Sequence, residues 1–298
     1  MPYLDRDGVK IYYQVHHDEG SESTNSNSNS NSNVRPLLLL THGFSSTSAM
    51  WTGQIPALSR HFRLITWDMR GHGQSDSPTD QAAYSESHTV KDMAAILDVV
   101  GGGLHNATAP APAPAIIGGL SLGGYMSLAF YRTYPARVAA LLIIDTGPGF
   151  RNADARRKWN DTAEQTARSF EARGLTVLRG LSPERAHVAH LHRDVTGMGL
   201  ARAARGMLAQ RDGRVLESLG SVRVPSLVVV GAEDHPFLAA SEYMAMKIPG
   251  AKKVVVPGAG HAVNIDNPKG FWEGVMPFLE EVRQRQGGGG GGGGRAKL

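Results

Sequence analysis

Short β-rich runs alternate with amphipathic stretches along most of this chain. Such alternation is typical of βα units packed around a mostly parallel sheet. The pattern therefore predicts an α/β fold whose central sheet is flanked by helices. The predicted strands are Val9–Val15, Leu37–Leu40, Phe62–Trp67, Ala115–Leu120, Val138–Ile144, Ser226–Val230 and Lys253–Val256. The predicted helices are Ser87–Val100, Leu122–Tyr134, Leu238–Lys247 and Lys269–Arg283.

The alternation is interrupted between residues 146 and 214, where the composition is helical and no strand pattern occurs. We interpret this stretch as a helical cap. It would separate a first core part, residues 1–145, from a second at 215–285, with a tail at 286–298. Ligand sites of open α/β sheets lie at the carboxyl edge of the strands, so the cap is expected to cover such a site.

Two low-complexity tracts are typical of flexible linkers. A Ser/Asn repeat occupies residues 21–33, and a glycine run occupies residues 287–294. The first lies between two predicted strands and is expected to be a disordered loop insertion without a role in chemistry. A third segment, Gly101 to Pro114, is rich in Gly, Ala and Pro and is predicted to be a surface connection.

The chain contains no cysteine, which excludes disulfides, thiolate nucleophiles and iron–sulfur clusters. No apolar run approaches the roughly 18 residues of a membrane span. Residues 1–10 lack the basic and apolar regions of a secretory signal. We therefore expect a soluble intracellular protein.

The formal net charge of +4 arises from residues 151–214, where Lys and Arg outnumber Asp and Glu. The sequence has neither a dense basic stripe with interleaved aromatics nor a named nucleic-acid-binding module, so no nucleic-acid partner is expected. Two interpretations of the basic region stay open. One is a set of solvated helical faces, and the other is a lid that attracts anionic substrates.

Residues 119–123 read Gly-Leu-Ser-Leu-Gly, a G-x-S-x-G motif between a predicted strand and a predicted helix. Strand, turn and helix in this order are the context of a nucleophile elbow. Ser121 is therefore the candidate nucleophile, and its flanking glycines avoid collisions in a strained turn. At the start of the helix, the amide of Leu122 is available to stabilise an oxyanion.

A serine hydroxyl needs a general base, and that base needs an orienting acid. In this architecture the expected chain order is Ser, then Asp or Glu, then His. His261 lies in a glycine-rich turn directly after one predicted strand, and Asp234 follows another. The sequence therefore predicts a triad of Ser121, Asp234 and His261.

Other acidic residues compete for the orienting role. Asp145, at the end of a predicted strand, is the main rival. Glu233 is adjacent to Asp234 but points away from it, and Asp266 is expected in a turn or helix cap. His42 starts a His-Gly pair after a strand and is expected to shape that loop.

The cap contains a His-x-x-His-x-His pattern, formed by His187, His190 and His192. This spacing suits either a metal site or an ordinary helical surface. Because no acidic ligand pattern lies nearby, we favour the surface interpretation and predict no metal and no organic cofactor.

The second oxyanion donor is expected in the loop Thr41-His42-Gly43-Phe44. We predict the amide of Phe44, because Gly43 would let the backbone turn sharply. In a later turn, Asp68 and Arg70 are expected to pair in a structural role, with substrate contact as the alternative.

Together these motifs resemble those of the α/β-hydrolases. The resemblance covers about Tyr3 to Arg285 and rests on His42-Gly43-Phe44, the turn from Asp68 to Ser75, Gly119 to Gly124, Gly231 to Asp234, and Gly260-His261. It implies a mostly parallel central sheet flanked by helices, with a helical cap inserted after the sixth strand. It also implies Ser121 as nucleophile, His261 as base, Asp234 as acid, and Phe44 with Leu122 as the oxyanion hole.

Within the superfamily the chain is similar to capped serine hydrolases, a group that includes meta-cleavage-product hydrolases, the menaquinone-pathway lyase, enol-lactonases and cofactor-free haloperoxidases. Dehalogenases and epoxide hydrolases carry Asp at the elbow, so Ser121 argues against both. The resemblance implies cleavage of a small-molecule carboxylic ester, lactone or related carbonyl substrate. Because one triad serves many reactions, an acyl-CoA thioesterase, a C–C bond hydrolase and a slow ligand-binding or signalling protein stay open.

Five large apolar side chains are candidates for lining a substrate pocket beneath the cap, with ordinary core packing as the alternative for each. They are Trp51, Met126, Phe150, Trp159 and Phe237.

Residues Ala296, Lys297 and Leu298 resemble the S-K-L peroxisomal address, with Ala in place of Ser. The preceding glycine run would hold them clear of a folded domain. The peroxisomal import receptor is therefore a predicted partner and the peroxisome a predicted location, with the cytoplasm as the alternative.

Overall fold

The computed structural model describes residues 3–17, 35–102, 113–179, 191–194 and 196–287. The Ser/Asn tract, nearly all of the glycine run and the C-terminal Ala296-Lys297-Leu298 lie outside these ranges. So does most of the Gly101 to Pro114 segment. The predictions made for these tracts, including peroxisomal import, therefore stay predictions.

Eight strands form one sheet in the order β1-β2-β4-β3-β5-β6-β7-β8. The pairs β1/β2 and β2/β4 are antiparallel, and every later neighbour is parallel. The strands are β1 (Tyr3–Arg6), β2 (Val9–His16), β3 (Leu37–Thr41), β4 (Arg63–Trp67), β5 (Ala115–Leu120), β6 (Val138–Ile144), β7 (Ser226–Gly231) and β8 (Lys252–Val256).

The helices are α1 (Ile55–Leu58), α2 (Glu86–Val100), α3 (Leu122–Thr133), α4 (Ala153–Arg173), α5 (Met198–Ala203), α6 (Arg214–Ser218), α7 (His235–Lys247), α8 (Val263–Asp266) and α9 (Pro268–Gly287). Of these, α2, α3 and α7 contribute to the core on one face of the sheet, and α1 and α9 contribute to the core on the other. None of the helices in the described ranges is long and apolar enough to span a bilayer.

The central strands are continuous apolar runs because both faces of the sheet are covered. In β3, Leu39 packs into one core, whereas Leu38 and Leu40 pack into the other. The same alternation continues through β5 and β6. These runs place the carboxyl ends of β3, β5, β6 and β7 side by side, where the loops bearing the candidate site begin.

The predicted fold, a mostly parallel sheet flanked by helices, is confirmed, and the predicted element ends either coincide with the observed ones or differ by up to four residues. β1 was not predicted. It is a four-residue edge strand with two charged residues, Asp5 and Arg6, and it is stabilised by pairing with β2.

Between β6 and β7, the described residues form helices and turns without a strand. Here α4 and α5 pack around a small separate core that includes Ala167, Phe170, Leu178 and Leu200. A π-helical turn, Ala204–Leu208, follows α5 directly. Treating this region as a cap domain with the predicted boundaries stays a prediction.

Candidate active site

Ser121 occupies the sharp turn between β5 and α3. Its backbone has φ 56° and ψ −117°, a conformation that non-glycine residues rarely adopt. The turn therefore stores local strain of the kind concentrated at functional positions. It places the Ser121 side chain beyond the end of β5, next to the first free amide of α3.

Two glycines allow this turn to pack against the neighbouring loop. A Cβ atom on Gly123 would lie 2.2 Å from the carbonyl oxygen of Thr41, and one on Gly119 would lie 2.5 Å from the carbonyl carbon of Gly123. Both approaches are far below contact distance. The sequence-based reason for glycine at these positions, avoidance of steric collision, agrees with this packing.

The three predicted triad residues lie within hydrogen-bond distance of one another. His261 Nε2 is 2.9 Å from Ser121 Oγ, and His261 Nδ1 is 2.8 Å from Asp234 Oδ2. Asp234 follows β7 and is buried, whereas the His261 side chain, in the turn after β8, is 35% exposed. Backbone hydrogen bonds from Ala232 and Glu233 to the β8 side of the site tie these two loops together.

Asp145, the rival acid, does not contact His261 in this arrangement. Its Oδ1 accepts a hydrogen bond from the amide of Gly231 at 2.8 Å, and its Oδ2 accepts one from Val263 at 3.2 Å. It thus bridges the loop that carries Asp234 and the loop that carries His261. Burial, with a further contribution from neighbouring Asp234, raises the pKa of Asp145 to about 8. Sequence reasoning noted this residue but missed its bridging position.

Asp266, the other acidic alternative, accepts a hydrogen bond from the amide of Gly260 at 3.0 Å. It therefore supports the turn before His261, as expected for a turn residue.

The amides of Leu122 and Phe44 belong to two segments that lie next to Ser121. Leu122 is the first residue of α3, where helix amides have no intrahelical acceptor. Phe44 lies in the loop after β3, and the Cβ position of its neighbour Gly43 is 3.5 Å from Ser121 Cβ. Two N–H donors so placed can stabilise negative charge that develops beside Ser121.

His42 shapes the Phe44 loop from its buried side. The amide of Met69 donates to His42 Nε2 at 3.0 Å, so the imidazole proton is on Nδ1, which donates to the Gly43 carbonyl at 2.7 Å. Burial lowers the pKa of His42 to about 4, so the ring is neutral at ordinary pH.

The reason given for glycine at position 43 was wrong. Gly43 does not have a positive φ. The residue of this loop with a left-handed backbone is Ser45, at φ 58°. The loop therefore reverses at Ser45, whose carbonyl is hydrogen-bonded by His192 Nε2 at 3.1 Å.

His192 joins the segment between β6 and β7 to the core. Besides its bond to Ser45, its Nδ1 accepts from the amide of Gly73 at 2.9 Å. This is a buried structural contact, not the helical surface that the sequence suggested. His187 and His190 lie outside the described residues. Within the described ranges, no cluster of three or more His, Asp or Glu residues is arranged to hold a metal ion.

The predicted pairing of Asp68 with Arg70 is wrong. Arg70 forms a bidentate salt bridge with Asp92 of α2. Its Nε donates to Asp92 Oδ2 at 2.6 Å, and its Nη2 donates to Oδ1 at 2.9 Å. The Asp68 carboxylate instead accepts from the amides of Ser48 and Gln74. The turn directs the guanidinium towards α2, so the two neighbours in sequence stabilise different parts of the fold.

A cavity of about 110 Å³ opens beside Ser121. Three of the five predicted pocket residues line it: Phe150, Trp159 of α4, and Phe237 of α7. The ring of Phe237 also stacks on His261, with 5.0 Å between the ring centroids.

The other two predictions for the pocket are corrected by the structure. Trp51 and Met126 are fully buried in the cores on opposite faces of the sheet, and neither is among the described residues that line the cavity. Sequence reasoning also missed Tyr125, Thr146, Leu208 and Gln210, which do line it. Thr146 could have been found from its place after a strand, whereas Leu208 and Gln210 belong to no motif.

Residues 36–268 match the alpha/beta hydrolase fold family. The chain belongs to that family. As an alpha/beta hydrolase it is 28% identical to the putative 2-succinyl-6-hydroxy-2,4-cyclohexadiene-1-carboxylate synthase of Bacillus subtilis, over 81% of this chain and 89% of the relative.

Two other similar proteins are lactonases by name. The 3-oxoadipate enol-lactonase 1 of Acinetobacter baylyi is 26% identical over 83% of this alpha/beta hydrolase and 90% of the relative. The crystal structure of the enol-lactonase from Burkholderia xenovorans LB400 superimposes with a TM-score of 0.73, at 22% identity, covering 94% of this chain and 100% of that one. The structural likeness supports the fold, and the relatives support a hydrolytic enzyme.

Proposed function

We propose that this alpha/beta hydrolase is a serine hydrolase that cleaves a carboxylic ester or lactone. The observation that carries the proposal is the continuous hydrogen-bond chain from Asp234 through His261 to Ser121. Such a chain is what activates a serine hydroxyl, because the base accepts its proton while the acid fixes the imidazole tautomer.

In the proposed reaction, Ser121 Oγ attacks the substrate carbonyl carbon as its proton passes to His261 Nε2. Asp234 accepts the hydrogen bond from His261 Nδ1 and stabilises the imidazolium. The carbonyl oxygen becomes an oxyanion, which the amides of Phe44 and Leu122 bind. Collapse breaks the acyl–oxygen bond and His261 protonates the departing alkoxide. Water then attacks the acyl-enzyme by the same route and releases the acid and free Ser121.

The cavity supports a small, mostly apolar acyl group. Phe150, Trp159 and Phe237 supply aromatic walls, and the volume of about 110 Å³ is modest. The similarity to 3-oxoadipate enol-lactonase 1 of Acinetobacter baylyi supports cyclic esters in particular, since a lactone is an ester whose leaving group stays attached.

The test is hydrolysis of p-nitrophenyl esters from acetate to octanoate by the wild type and by Ser121→Ala. We expect many turnovers by the wild type and a loss of at least about 10³-fold in the variant. Ser221→Ala is the matched control and should retain full activity. Ser221 is exposed and lies before the amino end of β7, whereas Asp234 follows the carboxyl end of that strand. The preferred chain length would measure the depth of the acyl site.

Turnover by Ser121→Ala equal to that of the wild type would contradict the serine mechanism. If neither protein hydrolyses any oxygen ester, thioesters and vinylogous 1,5-diketones should be assayed next, since an acyl-CoA thioesterase and a C–C hydrolase use the same triad. A single stoichiometric burst without turnover would instead indicate a ligand-binding or signalling role.

A further inference from the structure

The oxygen of the Gln210 side chain is a buried hydrogen-bond acceptor beside the candidate active site. Gln210 lines the cavity next to Ser121, and its Oε1 atom has no hydrogen-bond partner within the described part of the chain. Leaving a buried acceptor without a donor is unfavourable, so such a group in a native structure calls for a partner.

The segment that carries Gln210 is held firmly by α4. The Asn160 side chain makes two hydrogen bonds to the backbone of Gln210. Its Oδ1 accepts from the Gln210 amide at 2.8 Å, and its Nδ2 donates to the Gln210 carbonyl at 2.9 Å. The neighbouring Trp159 donates its indole N–H to the carbonyl of Leu208 at 2.8 Å. Two consecutive residues of α4 therefore fix the stretch that follows the π-helical turn.

A glycine makes room for the carboxamide on the opposite side. Gly149 has φ 98°, and a Cβ atom there would lie 2.8 Å from Gln210 Oε1. The same Cβ position is 3.7 Å from Tyr125, which also lines the cavity. The oxygen is thus enclosed among residues of the cavity wall, and its position depends on segments before and after α4.

The other polar side chains of the wall already have partners. The Tyr125 hydroxyl donates to Glu86 at 2.9 Å, and the Thr146 hydroxyl is within 3.4 Å of the Gly147 carbonyl. Ser121 is engaged with His261. Among the described lining residues there is no Lys, Arg, Asp or Glu, and Gln210 Oε1 is the one polar side-chain atom of theirs that is buried without a hydrogen-bond partner.

We propose that Gln210 determines specificity, with its Oε1 accepting a hydrogen bond from a hydroxyl or amide N–H of the substrate acyl group. The inference rests on the proposed function and names its substrate class: hydroxyacyl or acylamino esters and lactones. A site built around a buried acceptor discriminates against an isosteric substrate that lacks the donor, because binding then leaves the acceptor unpaired.

The experiment compares two isosteric pairs of p-nitrophenyl esters. In the first pair, 3-hydroxybutyrate is set against 3-methylbutyrate, which replaces the hydroxyl by a methyl group. In the second, N-acetylglycinate is set against 4-oxopentanoate, which replaces the amide N–H by a methylene. The readout is the ratio of kcat/KM within each pair, for the wild type, Gln210→Met and Gln165→Met. Methionine has nearly the shape of glutamine without its acceptor, and Gln165 lies exposed on α4 as the matched control.

For the wild type we expect a preference for the donor-bearing ester of at least about tenfold in one pair. Gln210→Met should lower that ratio about tenfold, and Gln165→Met should leave it unchanged. A wild-type ratio near one, with turnover that Ser121→Ala abolishes, would overturn this inference and leave the proposed function standing. A preference that persists in Gln210→Met would also overturn it. Failure of the wild type to hydrolyse these esters and the straight-chain esters would overturn both proposals.

Discussion

His42 and Gly43 are joined by a hydrogen bond of 2.7 Å between the imidazole Nδ1 and the glycine carbonyl oxygen. That carbonyl belongs to the same planar peptide unit as the amide of Phe44. Fixing one end of the peptide therefore fixes the direction of the N–H at the other end. A histidine outside the candidate triad can in this way orient one of the two proposed oxyanion donors.

His42→Ala should consequently lower kcat by about 10- to 100-fold, less than or comparable to the loss of a whole oxyanion donor. KM should change little, since the contact acts mainly on the transition state. His42→Asn places an amide donor near the position of Nδ1 and should recover part of the rate. His61→Ala, in the turn between α1 and β4, is the control and should leave kcat unchanged. A rise in KM at constant kcat would contradict the positioning role.

The two buried aspartates near His261 should differ in their effect on rate. Asp234→Asn removes the acceptor that fixes the imidazole tautomer, and we expect kcat to fall by about 10⁴-fold. Asp145→Asn keeps an acceptor oxygen and a neutral side chain between the same two loops, so its loss should be no more than about tenfold. Steady-state kinetics of both variants distinguishes the roles. The reverse order of effects would assign the orienting acid to Asp145.

Asp145 should also make stability depend on pH. Burial raises its pKa to about 8 in the folded protein, whereas the unfolded chain ionises near the ordinary value of 3.8. The folded state therefore binds the Asp145 proton more tightly than the unfolded chain does. The resulting contribution to the free energy of unfolding is fully present below pH 3.8 and is lost as pH rises through 8. Between pH 5 and 8, the free energy of unfolding measured with urea should fall less steeply with pH in Asp145→Asn than in the wild type. The difference in slope should be up to about 1 kcal/mol per pH unit. Identical dependence of the free energy of unfolding on pH in the variant and the wild type would refute the proposed role of Asp145 in this pH dependence.

The Arg70–Asp92 pair should behave as a buried salt bridge. The side chains are 3% and 0% exposed. Arg70→Met leaves the buried carboxylate with the longer contact to Arg6, at 3.6 Å, and should destabilise the fold by about 3 kcal/mol. Arg70→Met combined with Asp92→Leu should recover much of this loss. Arg157→Met breaks an exposed pair with Asp154 and should cost less than about 1 kcal/mol. Chemical denaturation measures all three, and equal losses for the buried and exposed pairs would be inconsistent with this account.

Features that depend on local sequence were predicted well. Every strand from β2 onward was identified from the sequence. For β3 to β7 the reason is that burial on both faces of a sheet leaves a nearly continuous apolar signal. Ser121 was identifiable because its glycines, strand and helix are neighbours in sequence. Asp234 and His261 followed from their places just beyond strands, since the carboxyl ends of parallel strands meet at one edge.

Features that depend on contacts between distant segments could not be predicted. Trp51 and Trp159 have equally apolar side chains, yet one lies in the core and the other lines the cavity. Arg70 has Asp68 two residues away but pairs with Asp92 on another element. The hydrogen bonds between the Asn160 side chain and the Gln210 backbone join residues 50 positions apart. The amino-acid sequence by itself therefore determined the order of strands and helices and the chemical types at the ends of the strands. Only the tertiary structure decided which polar groups satisfy one another and which acceptor, Gln210 Oε1, has no partner among the described residues, because hydrogen bonds depend on distances and directions that sequence spacing does not specify.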